Sequence, residues 1–482
     1  MKIPAEVKNI VQKLQAVGYE AYIIGGSVRH LIVGESPNDW DLTTNARPEE
    51  IQKIFPDSFY ENNFGTVGVK TDSDDPTLQV IEVTTYRIES KYTDKRHPDD
   101  VMYADRLEDD LRRRDFTMNA LAMSEDGSVT DLFGGQGDIK NKVIRAVGDP
   151  NERFNEDALR MMRAVRFVAQ IGFTIESGTL EAIKKNNGLI AAVSKERIRD
   201  ELLLLIDSPD ADSGIEILRE TGLMKFVMPE LLEGVGVAQN KHHIYTVWEH
   251  NIKALRYACD KGYSAEVRLA SLLHDVGKPR SKRGDGHDST FYGHEMIGAN
   301  MTAQVVDRLR LPLKQAEKII KLVRYHLFYY NVGEVTESSV RRLVANIGKE
   351  NVEDLIKVRE ADRIGSGVPK AKPYKLRHLQ FMIDKVARDP ISPKMLKVKG
   401  DDIMRLLGAE AGPRVGMIIN ALMNEVLDDP SKNSAEYLSN RVLELNKLDE
   451  KELADLGKIG RQKMLKEEEK EVVKIKEKHY VE

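Results

Sequence analysis

The sequence predicts an α+β protein in which a head with a mixed sheet precedes a long, all-helical remainder. Runs rich in β-branched residues that alternate with period two occur only within the first 140 or so residues. From NERFNEDALRMMRAVRFVAQIGF onward, apolar residues recur every three to four positions, as in LEAIKKN, ERIRDELLLLI and GIEILRETGLM. A chain of 482 residues with 41% hydrophobic residues can bury several cores, so we expect several domains.

The elements of the head follow from short stretches of sequence. Apolar residues at helical spacing predict an amphipathic helix over 5–17, namely Val7, Ile10, Val11 and Leu14. The stretch AYIIGG is typical of a short buried strand that ends in a glycine turn. FGTVGVKT and LQVIEVTTYRI predict two strands separated by the turn DSDDP.

Composition narrows the cellular setting and the classes of partner. The single cysteine, Cys259, excludes an intramolecular disulfide, and no apolar run approaches the roughly 18 residues of a membrane span. We therefore expect a cytoplasmic protein with no membrane partner. The net charge is only −5, so a nucleic-acid partner would be held by local basic surface.

Asp39 and Asp41 are two positions apart, and residues two apart in a strand point to the same face. Two adjacent carboxylates attract a cation, and hard oxygen ligands on a rigid strand suit Mg²⁺. Two such ions can activate an attacking hydroxyl and stabilise a leaving pyrophosphate. Two aspartates at this spacing, taken alone, usually lie in a turn or on a solvated strand. The interpretation as a metal site therefore depends on the neighbouring sequence.

A glycine pair lies just upstream of these aspartates, in YIIGGSVRHLIVGESPNDWDL. Gly25 and Gly26 let backbone N–H groups approach a triphosphate, and Ser27 and Arg29 are available to its oxygens. A glycine turn that can bind the phosphates, next to aspartates that can bind the metal ions, predicts one nucleotidyl-transfer site.

GGSVRHLIVGESPNDWDL resembles the first motif of the class II tRNA nucleotidyltransferases, the CCA-adding enzymes of the polymerase-β-like superfamily. RRDFTMNA, DLFGGQGDI, EDALRMMRAVRF and ERIRDEL resemble the next four motifs in order, and the resemblance covers residues 20 to about 445. The resemblance implies a polymerase-β-like head that uses CTP and ATP, with Mg²⁺, to build or repair the CCA end of tRNA. It also implies that DNA is not a partner. The family usually has Asp at the position of His30, a departure that we expect to tune activity rather than abolish it.

The fourth motif contains a candidate base-recognition pair, Asp157 and Arg160. They stand at positions i and i+3, so we predict that they project from the same face of a helix. An acceptor beside a donor matches cytosine and adenine, which present an amino donor next to a ring-nitrogen acceptor, and rejects guanine and uracil. An ordinary surface ion pair is the alternative interpretation.

Further residues of the motifs are expected at the nucleotide. The second motif supplies Arg114, Asp115 and Asn119, and Arg113 adds a cation. Arg163 and Arg166 continue the helical spacing after Arg160, and with Arg113 and Arg114 they are candidate cations for the triphosphate or for the tRNA backbone. Glu82, on a strand that would lie beside the aspartates, is a possible third metal carboxylate. Residues 86–106 resemble the flexible loop that full CCA-adding enzymes carry, which favours AMP addition but does not separate CCA addition from A addition.

Seven of the 11 histidines fall between residues 242 and 326, which indicates a metal site. The segment resembles an HD phosphohydrolase domain, and the resemblance implies one ligand set: His250, His274, Asp275, His294, His326 and Asp362. Neutral imidazole and carboxylate can hold one or two divalent ions, a transition metal or Mg²⁺, and generate hydroxide for phosphoester hydrolysis. Lys278 is a candidate phosphate contact, and we assign His242, His243 and His287 to ordinary surface or core positions.

The resemblance divides the chain into four expected domains: a catalytic head over 1–140, a neck and body over 141–235, an HD domain over 236–365 and a helical, tRNA-binding tail over 366–482. GSGVPKAKP, at 365–373, is typical of a hinge. The alternatives are an A-adding tRNA nucleotidyltransferase, a poly(A) polymerase, and an HD hydrolase whose head only binds RNA. The last 20 residues predict a solvated helix or a frayed tail.

Overall fold

A computed structural model describes seven stretches of the chain: 3–62, 65–90, 100–240, 244–284, 288–328, 330–387 and 392–481. The chain forms two compact units, of which the first comprises Met1–Leu327 with Glu353–Ala371 and the second comprises Phe328–Val352 with Lys372–Glu482. The boundary after Ala371 lies within the segment predicted as a hinge. His242, His243, His287 and part of the predicted 86–106 loop lie outside the described residues.

The first unit begins with a mixed region of helices and strands. Its elements are α1 (Ala5–Ala16), β1 (Ala21–Ile24), α2 (Gly26–Val33), β2 (Asp41–Thr44), α3 (Pro48–Ile54), β3 (Ser58–Asn62), β4 (Thr66–Lys70), β5 (Val80–Thr85), β6 (Arg87–Ser90), β7 (Asp100–Tyr103), α4 (Leu107–Arg112), a 3₁₀ helix (Thr117–Asn119), β8 (Leu121–Met123), β9 (Val129–Asp131), α5 (Gly135–Lys140) and β10 (Val143–Ile144).

Seven of these strands form one sheet in the order β3-β4-β5-β2-β1-β8-β9. Strands β2 and β5 are parallel, and the remaining neighbours in the sheet are antiparallel. Strand β6 pairs with β7 as a separate hairpin. The predicted mixed sheet is therefore confirmed, and α1, β1, β4 and β5 fall within the stretches that predict them.

The sheet has an apolar core, and its central strands β1 and β2 are buried along most of their length. Ile23 and Leu42 are fully buried on the paired strands β1 and β2. Val7 and Leu14 of α1 are also fully buried, as the amphipathic spacing predicts. This packing fixes the ends of β1 and β2, where the candidate site residues begin.

The first unit continues as helices, as the periodicity predicts. They are α6 (Pro150–Glu156), α7 (Leu159–Ile171), α8 (Ser177–Asn186), a 3₁₀ helix (Asn187–Ala192), α9 (Lys195–Asp207), α10 (Ala211–Glu220), α11 (Met224–Val227), α12 (Pro229–Leu232), α13 (Val247–Asp260), α14 (Ala265–Leu273), α15 (Lys278–Ser281), α16 (His294–Arg308) and α17 (Leu313–Tyr325). The short strand β11 (Thr174–Ile175) follows α7 and pairs in parallel with β10.

The rest of the described chain is also helical. Its elements are α18 (Glu337–Ile347), α19 (Val352–Gly365), α20 (Tyr374–Ala387), α21 (Gly400–Leu407), α22 (Pro413–Asp428), α23 (Ala435–Leu445) and α24 (Glu450–His479), with 3₁₀ helices over Lys349–Asn351, Pro393–Met395 and Pro430–Lys432. All of α19 except Val352 belongs to the first unit.

The second unit has its own apolar core, built from α21 to α24 around Ile418, Leu422 and Leu438. Helix α24 packs closely on α22 because Gly460 has no side chain there: a Cβ at this position would lie 1.9 Å from the carbonyl oxygen of Asn420. The end of the chain is thus a helix as far as His479 rather than a frayed tail.

Among the described residues, none of the helices combines the length and the apolar character needed to span a lipid bilayer.

Candidate active sites

The turn between β1 and α2 requires glycine. Gly25 has φ of +69°, in the left-handed region. A Cβ added to Gly25 would lie 3.1 Å from Nη1 of Arg114 and 3.9 Å from Oδ2 of Asp41. Helix α2 begins at the next residue, so its first N–H groups lie beside a guanidinium and a carboxylate.

The predicted carboxylates come together at the start of β2. Asp41 is the first residue of β2, and Glu82 on the parallel strand β5 is its direct register partner. The placement of Asp39 in the same strand was wrong, because this residue lies in a bend before β2. Asp39, Asp41 and Glu82 nevertheless line one cavity, while the intervening Trp40 is buried.

Ser27 has a different place from the one predicted for a phosphate contact. It is fully buried and is not among the residues that line the cavity. Its hydroxyl donates to the carbonyl oxygen of Asp39 at 3.1 Å and accepts from the backbone N–H of Asp41 at 3.2 Å. Ser27 therefore ties α2 to the segment that carries both aspartates.

The cavity has a volume of about 720 Å³, and its lining is strongly cationic. Eight arginines line it: Arg29, Arg87, Arg113, Arg114, Arg160, Arg163, Arg166 and Arg197. The acidic lining residues are Asp39, Asp41, Glu82, Asp115 and Asp157. Gly25, Gly26, His30 and Asn119 also line it. This excess of positive charge around a cleft of ligand size suits a polyanion with its counter-cations.

A series of hydrogen bonds connects α2 to α7. Arg29 on α2 donates to Oδ1 of Asn119, and Asn119 donates to Asp115 at 3.1 Å. Asp115 in turn accepts from Nε of Arg163 on α7 at 2.9 Å. Burial alone would raise the pKa of Asp115, but the Arg163 guanidinium and the Asn119 hydrogen bond lower this pKa to about 2.

The candidate base-recognition residues lie at a break between two helices. Helix α6 ends at Glu156 and α7 begins at Leu159, so the prediction that Asp157 and Arg160 share one helix face was wrong. The break has a local cause, because Oδ1 of Asp157 accepts from the backbone N–H of Leu159 at 3.0 Å. Both side chains still line the cavity.

Asp157 and Arg160 are each held by other groups. Oδ2 of Asp157 accepts from Arg197 of α9 at 2.7 Å. Arg160 donates to Oε2 of Glu156 at 2.8 Å and to the carbonyl oxygen of Arg113 at 2.8 Å. The two side chains are therefore oriented from two directions before any base is present.

Arg166 is also fixed from α9. Its Nε donates to Oε2 of Glu201 at 2.7 Å, and its guanidinium lies 4.4 Å from the ring centroid of Phe167. Arg29 lies 5.2 Å from the same ring. The pKa of Arg29 is lowered mainly by its burial.

Sequence reasoning missed three residues that hold the cavity lining in place, namely Asp110, Arg197 and Glu201. Asp110 stands three and four positions before Arg113 and Arg114, a spacing at which an ion pair could have been recognised. Arg197 and Glu201 are 40 and 35 residues away from their partners, and local spacing carries no signal for such contacts.

The second candidate site is a buried cluster in the helical part of the first unit. It contains all six predicted ligands: His250 in α13, His274 and Asp275 directly after α14, His294 at the start of α16, His326 directly after α17, and Asp362 in α19. Each is less than a tenth exposed. The structure thus brings the whole predicted set together.

The cluster has two halves that share Asp275. His250, His274, Asp275 and Asp362 offer ligand atoms within 4.8 Å of one another, and Asp275, His294 and His326 do the same. Nε2 of His250 lies 3.0 Å from Oδ2 of Asp275, and Nε2 of His294 lies 3.2 Å from Oδ1. One carboxylate therefore faces both halves.

The donor chemistry of the cluster fits divalent metal ions. Nδ1 of His274 lies 2.7 Å from the carbonyl oxygen of Ser271, and His294 and His326 make the same contact three residues back. This leaves each Nε2 directed at the shared aspartate, which is the usual arrangement of metal-bound imidazoles. The predicted phosphate contact Lys278 is engaged with Oδ2 of Asp275 and Oε1 of Gln239.

Comparison with known proteins gives three family matches along the chain. Residues 21–145 match the "Poly A polymerase head domain", residues 172–234 match the "Probable RNA and SrmB- binding site of polymerase A", and residues 247–365 match the "HD domain". The first match covers the sheet with its glycine turn, and the third covers all six residues of the metal cluster.

Similar proteins and a similar solved structure agree with these matches. The CCA-adding enzyme of Geobacillus stearothermophilus is 32% identical over 94% of this chain and 100% of its own length. The A-adding tRNA nucleotidyltransferase of Deinococcus radiodurans is 37% identical over 66% of this chain and 74% of its own. The crystal structure of the Bacillus stearothermophilus CCA-adding enzyme in complex with CTP covers 93% of this chain and 98% of its own, at 29% identity and a TM-score of 0.60. The predicted resemblance is confirmed: the chain belongs to the family of the CCA-adding tRNA nucleotidyltransferases, and it carries an HD domain.

Proposed function

We propose that this protein adds or repairs the 3′-terminal CCA of tRNA, using CTP and ATP without a nucleic-acid template. The observation that supports this most is one cationic cavity that contains the carboxylates of Asp39, Asp41 and Glu82 together with Asp157 and Arg160. One site then contains carboxylates that can bind metal ions, cations for a triphosphate, and a pair of side chains able to recognise a base.

The reaction follows from the chemistry of this lining. The 3′-hydroxyl of tRNA attacks the α-phosphorus of CTP or ATP, loses its proton, and pyrophosphate leaves. Mg²⁺ held by Asp39, Asp41 and Glu82 would activate the hydroxyl and neutralise charge on the leaving group. The Gly25 turn lets N–H groups at the start of α2 approach the phosphates, and arginines of the lining bind their oxygens.

Base choice is assigned to Asp157 and Arg160. A carboxylate accepts from the amino group of cytosine or adenine, and a guanidinium donates to the neighbouring ring nitrogen. Guanine and uracil reverse this order and leave buried polar groups unpaired, at a cost of about 1–3 kcal/mol for each group. The template role therefore belongs to protein side chains.

Extension of a tRNA transcript tests the proposal. A transcript that ends before CCA is incubated with the protein, CTP and ATP in Mg²⁺, and product length is determined on a sequencing gel. Growth by three residues that then stops is the expected result. No growth, or growth into a long adenosine ladder as a poly(A) polymerase would give, contradicts the proposal.

An A-adding specificity is the second candidate, because the Deinococcus radiodurans relative at 37% identity is an A-adding tRNA nucleotidyltransferase. A transcript that ends in CC separates the two specificities when it is compared with the transcript that lacks CCA. Extension of the CC-ended transcript alone, by one adenosine, assigns A addition. Extension of both assigns complete CCA addition.

The HD cluster supports an additional activity, the metal-dependent hydrolysis of phosphomonoesters or 2′,3′-cyclic phosphates. A divalent ion held by its histidines and aspartates would supply hydroxide for attack on phosphorus. We assign transfer to residues 1–140, nucleotide selection to 141–235, hydrolysis to 236–365 and tRNA binding to the tail over 366–482. The test measures release of phosphate, or ring opening, with Mn²⁺, Ni²⁺ and Mg²⁺ in turn; no hydrolysis with any of the three ions contradicts the assignment.

A further inference from the structure

Asp110 of α4 is a fully buried carboxylate outside the set that lines the cavity. Its Oδ1 accepts from Nε and Nη2 of Arg113 at 2.9 and 2.7 Å. Its Oδ2 accepts from Nη2 of Arg114 at 3.3 Å. One carboxylate thus holds two neighbouring arginines, both of which line the cavity.

Arg114 lies against the glycine turn, and Asp110 itself lies against β2. Nη1 of Arg114 lies 3.1 Å from the position of a Cβ on Gly25. Oγ1 of Thr43, two residues after Asp41 in β2, lies 3.4 Å from Oδ2 of Asp110. The carboxylate therefore connects the expected triphosphate contacts to the strand that carries Asp41.

We propose that Asp110 is a positioning residue that aims the guanidinium groups of Arg113 and Arg114 at the triphosphate of the incoming nucleotide. The proposal rests on the nucleotidyl-transfer function proposed above. An arginine has many rotamers, and a buried, charge-assisted hydrogen bond restricts it to the few that face the cavity. The triphosphate then binds to cations that are already oriented.

The charge state of Asp110 is consistent with this role. Its burial would raise the pKa of the carboxyl group, but the Arg113 and Arg114 guanidinium groups outweigh burial and keep its pKa below the ordinary value. Asp110 is thus ionised at neutral pH, as a group that orients two cations must be.

Asp110 acts on a different part of the nucleotide from the base-recognition pair. Arg160 is held through the backbone carbonyl of Arg113 and through Glu156, not through the Asp110 carboxylate. Loss of Asp110 should therefore weaken binding of CTP and ATP by the same factor and leave the choice of base unchanged. A disturbance of the whole fold would not produce this pattern.

The first test compares Asp110→Asn with Asp109→Asn, the same change one residue earlier in α4. For Asp110→Asn we expect KM for CTP and for ATP to rise about tenfold each, with kcat reduced less and no gain of GTP or UTP incorporation. Asp109→Asn should behave as the wild type. Unchanged KM values, a lower KM, or altered base choice in Asp110→Asn would overturn the inference.

A binding measurement separates this inference from the proposed function. Inorganic tripolyphosphate has neither base nor sugar, and calorimetry measures its binding whether or not the protein adds nucleotides. We expect Asp110→Asn to weaken tripolyphosphate binding about tenfold. If Asp110→Asn and the wild type bind tripolyphosphate equally well, the role of Asp110 is overturned, even if the wild type extends tRNA. If Asp110→Asn binds tripolyphosphate more weakly but the wild type does not extend tRNA, only the proposed function is contradicted.

A triple variant tests whether Asp110 acts through the two arginines. If it does, Asp110→Asn added to a variant that carries both Arg113→Gln and Arg114→Gln should bind tripolyphosphate little worse than that variant alone, and independent, multiplying losses contradict the inference. If Asp110→Asn does not fold, Thr43→Val keeps every charge and removes one hydroxyl from the carboxylate. It should weaken tripolyphosphate binding about threefold, and unchanged binding overturns the inference.

Discussion

The head cavity and the HD cluster differ in the charged groups that they present and in how closely those groups are packed. The head presents eight arginines and a group of carboxylates around a cleft of about 720 Å³. The HD cluster presents four histidines and two aspartates, each less than a tenth exposed, with ligand atoms within 4.8 Å of one another in each half. The cleft has the size and charge for a nucleoside triphosphate with metal ions, and the cluster has the size and donors for metal ions alone.

The supports of the two sites differ as well. Side-chain ion pairs orient the arginines of the head: Asp110 holds Arg113, Asp115 holds Arg163 and Glu201 holds Arg166. Backbone carbonyls, each three residues earlier in the chain, orient three imidazoles of the HD cluster, those of His274, His294 and His326. Precision in the head therefore depends on side-chain ion pairs, two of these three between distant segments, and precision at those three histidines of the HD cluster depends on local backbone geometry.

The largest expected effect comes from Asp41→Asn, which removes a carboxylate from the start of β2 while keeping its shape. Nucleotide incorporation should fall by about 1,000-fold or more, because the metal ions would lose a principal ligand. Single-turnover incorporation of CTP into a transcript lacking CCA measures this. The same change at the exposed Asp57 is the control and should have no effect; comparable losses in both variants would remove Asp41 from the chemistry.

Arg160→Ala tests the base-recognition pair. We expect discrimination between CTP and UTP to fall about tenfold to a hundredfold, while tRNA binding changes less. Misincorporation with single nucleotides measures this effect. Arg153→Ala is the matched control because Arg153 also pairs with Glu156 but does not line the cavity. Unchanged selectivity in Arg160→Ala would refute the idea of a protein template.

Asp115→Asn tests whether the head depends on buried side-chain pairs. We expect the free energy of unfolding at pH 7 to fall by about 2 kcal/mol, because the change removes the nearer of the two carboxylates that pair with Arg163 and leaves only Glu201. Because the folded-state pKa of Asp115 is lowered to about 2, its stabilising contribution is present above the ordinary carboxyl pKa. It should be lost as pH falls from about 4 toward 2.

Urea unfolding of wild type and Asp115→Asn at pH 7 and at low pH measures both effects. The difference in stability between the two proteins should shrink as the pH falls. An equal difference at both pH values would contradict the assigned pKa, and no difference at pH 7 would contradict the buried pair.

The smallest effect is expected at His30, where the family usually has Asp. Nε2 of His30 lies 3.4 Å from Nη2 of Arg29, and burial followed by the Arg29 charge lowers the pKa of His30, so the ring is neutral at pH 7. In His30→Asp, a carboxylate would pair with the buried Arg29, raise thermal stability slightly and change activity by less than about tenfold. His30→Asn separates charge from shape; a complete loss of activity in His30→Asp would contradict this account.

Local patterns predicted much of this structure. Apolar spacing was enough to predict α1. The order of the motifs was enough to predict that Asp41 and Asp157 share one cavity and that the HD residues share one cluster. Periodicity alone failed at Asp157, because its backbone is extended at the end of α6 and its side chain accepts from the N–H of Leu159, the first residue of α7.

Contacts between distant segments explain what else was missed. Arg197 reaches Asp157 only because α9 packs on α7, and one sequence without its fold contains no measure of that packing. The position of Ser27 beside the glycine turn predicted a phosphate ligand. Its hydroxyl is instead hydrogen-bonded to the backbone of Asp39 and Asp41. The identity of the site residues could be predicted, while the residues that orient them from distant parts of the chain, Arg197 and Glu201, could not.

We infer that one chain carries two separate sites, a polyanion cleft and a metal cluster, with separate chemistry. Asp41→Asn and Asp275→Asn are assayed side by side for CTP incorporation and for phosphoester hydrolysis, and bound metal is determined in each purified variant. We expect Asp41→Asn to lose incorporation and keep hydrolysis, and Asp275→Asn to lose hydrolysis and bound metal and keep incorporation. Loss of both activities in either variant, with the fold intact, would contradict the inference of two separate sites.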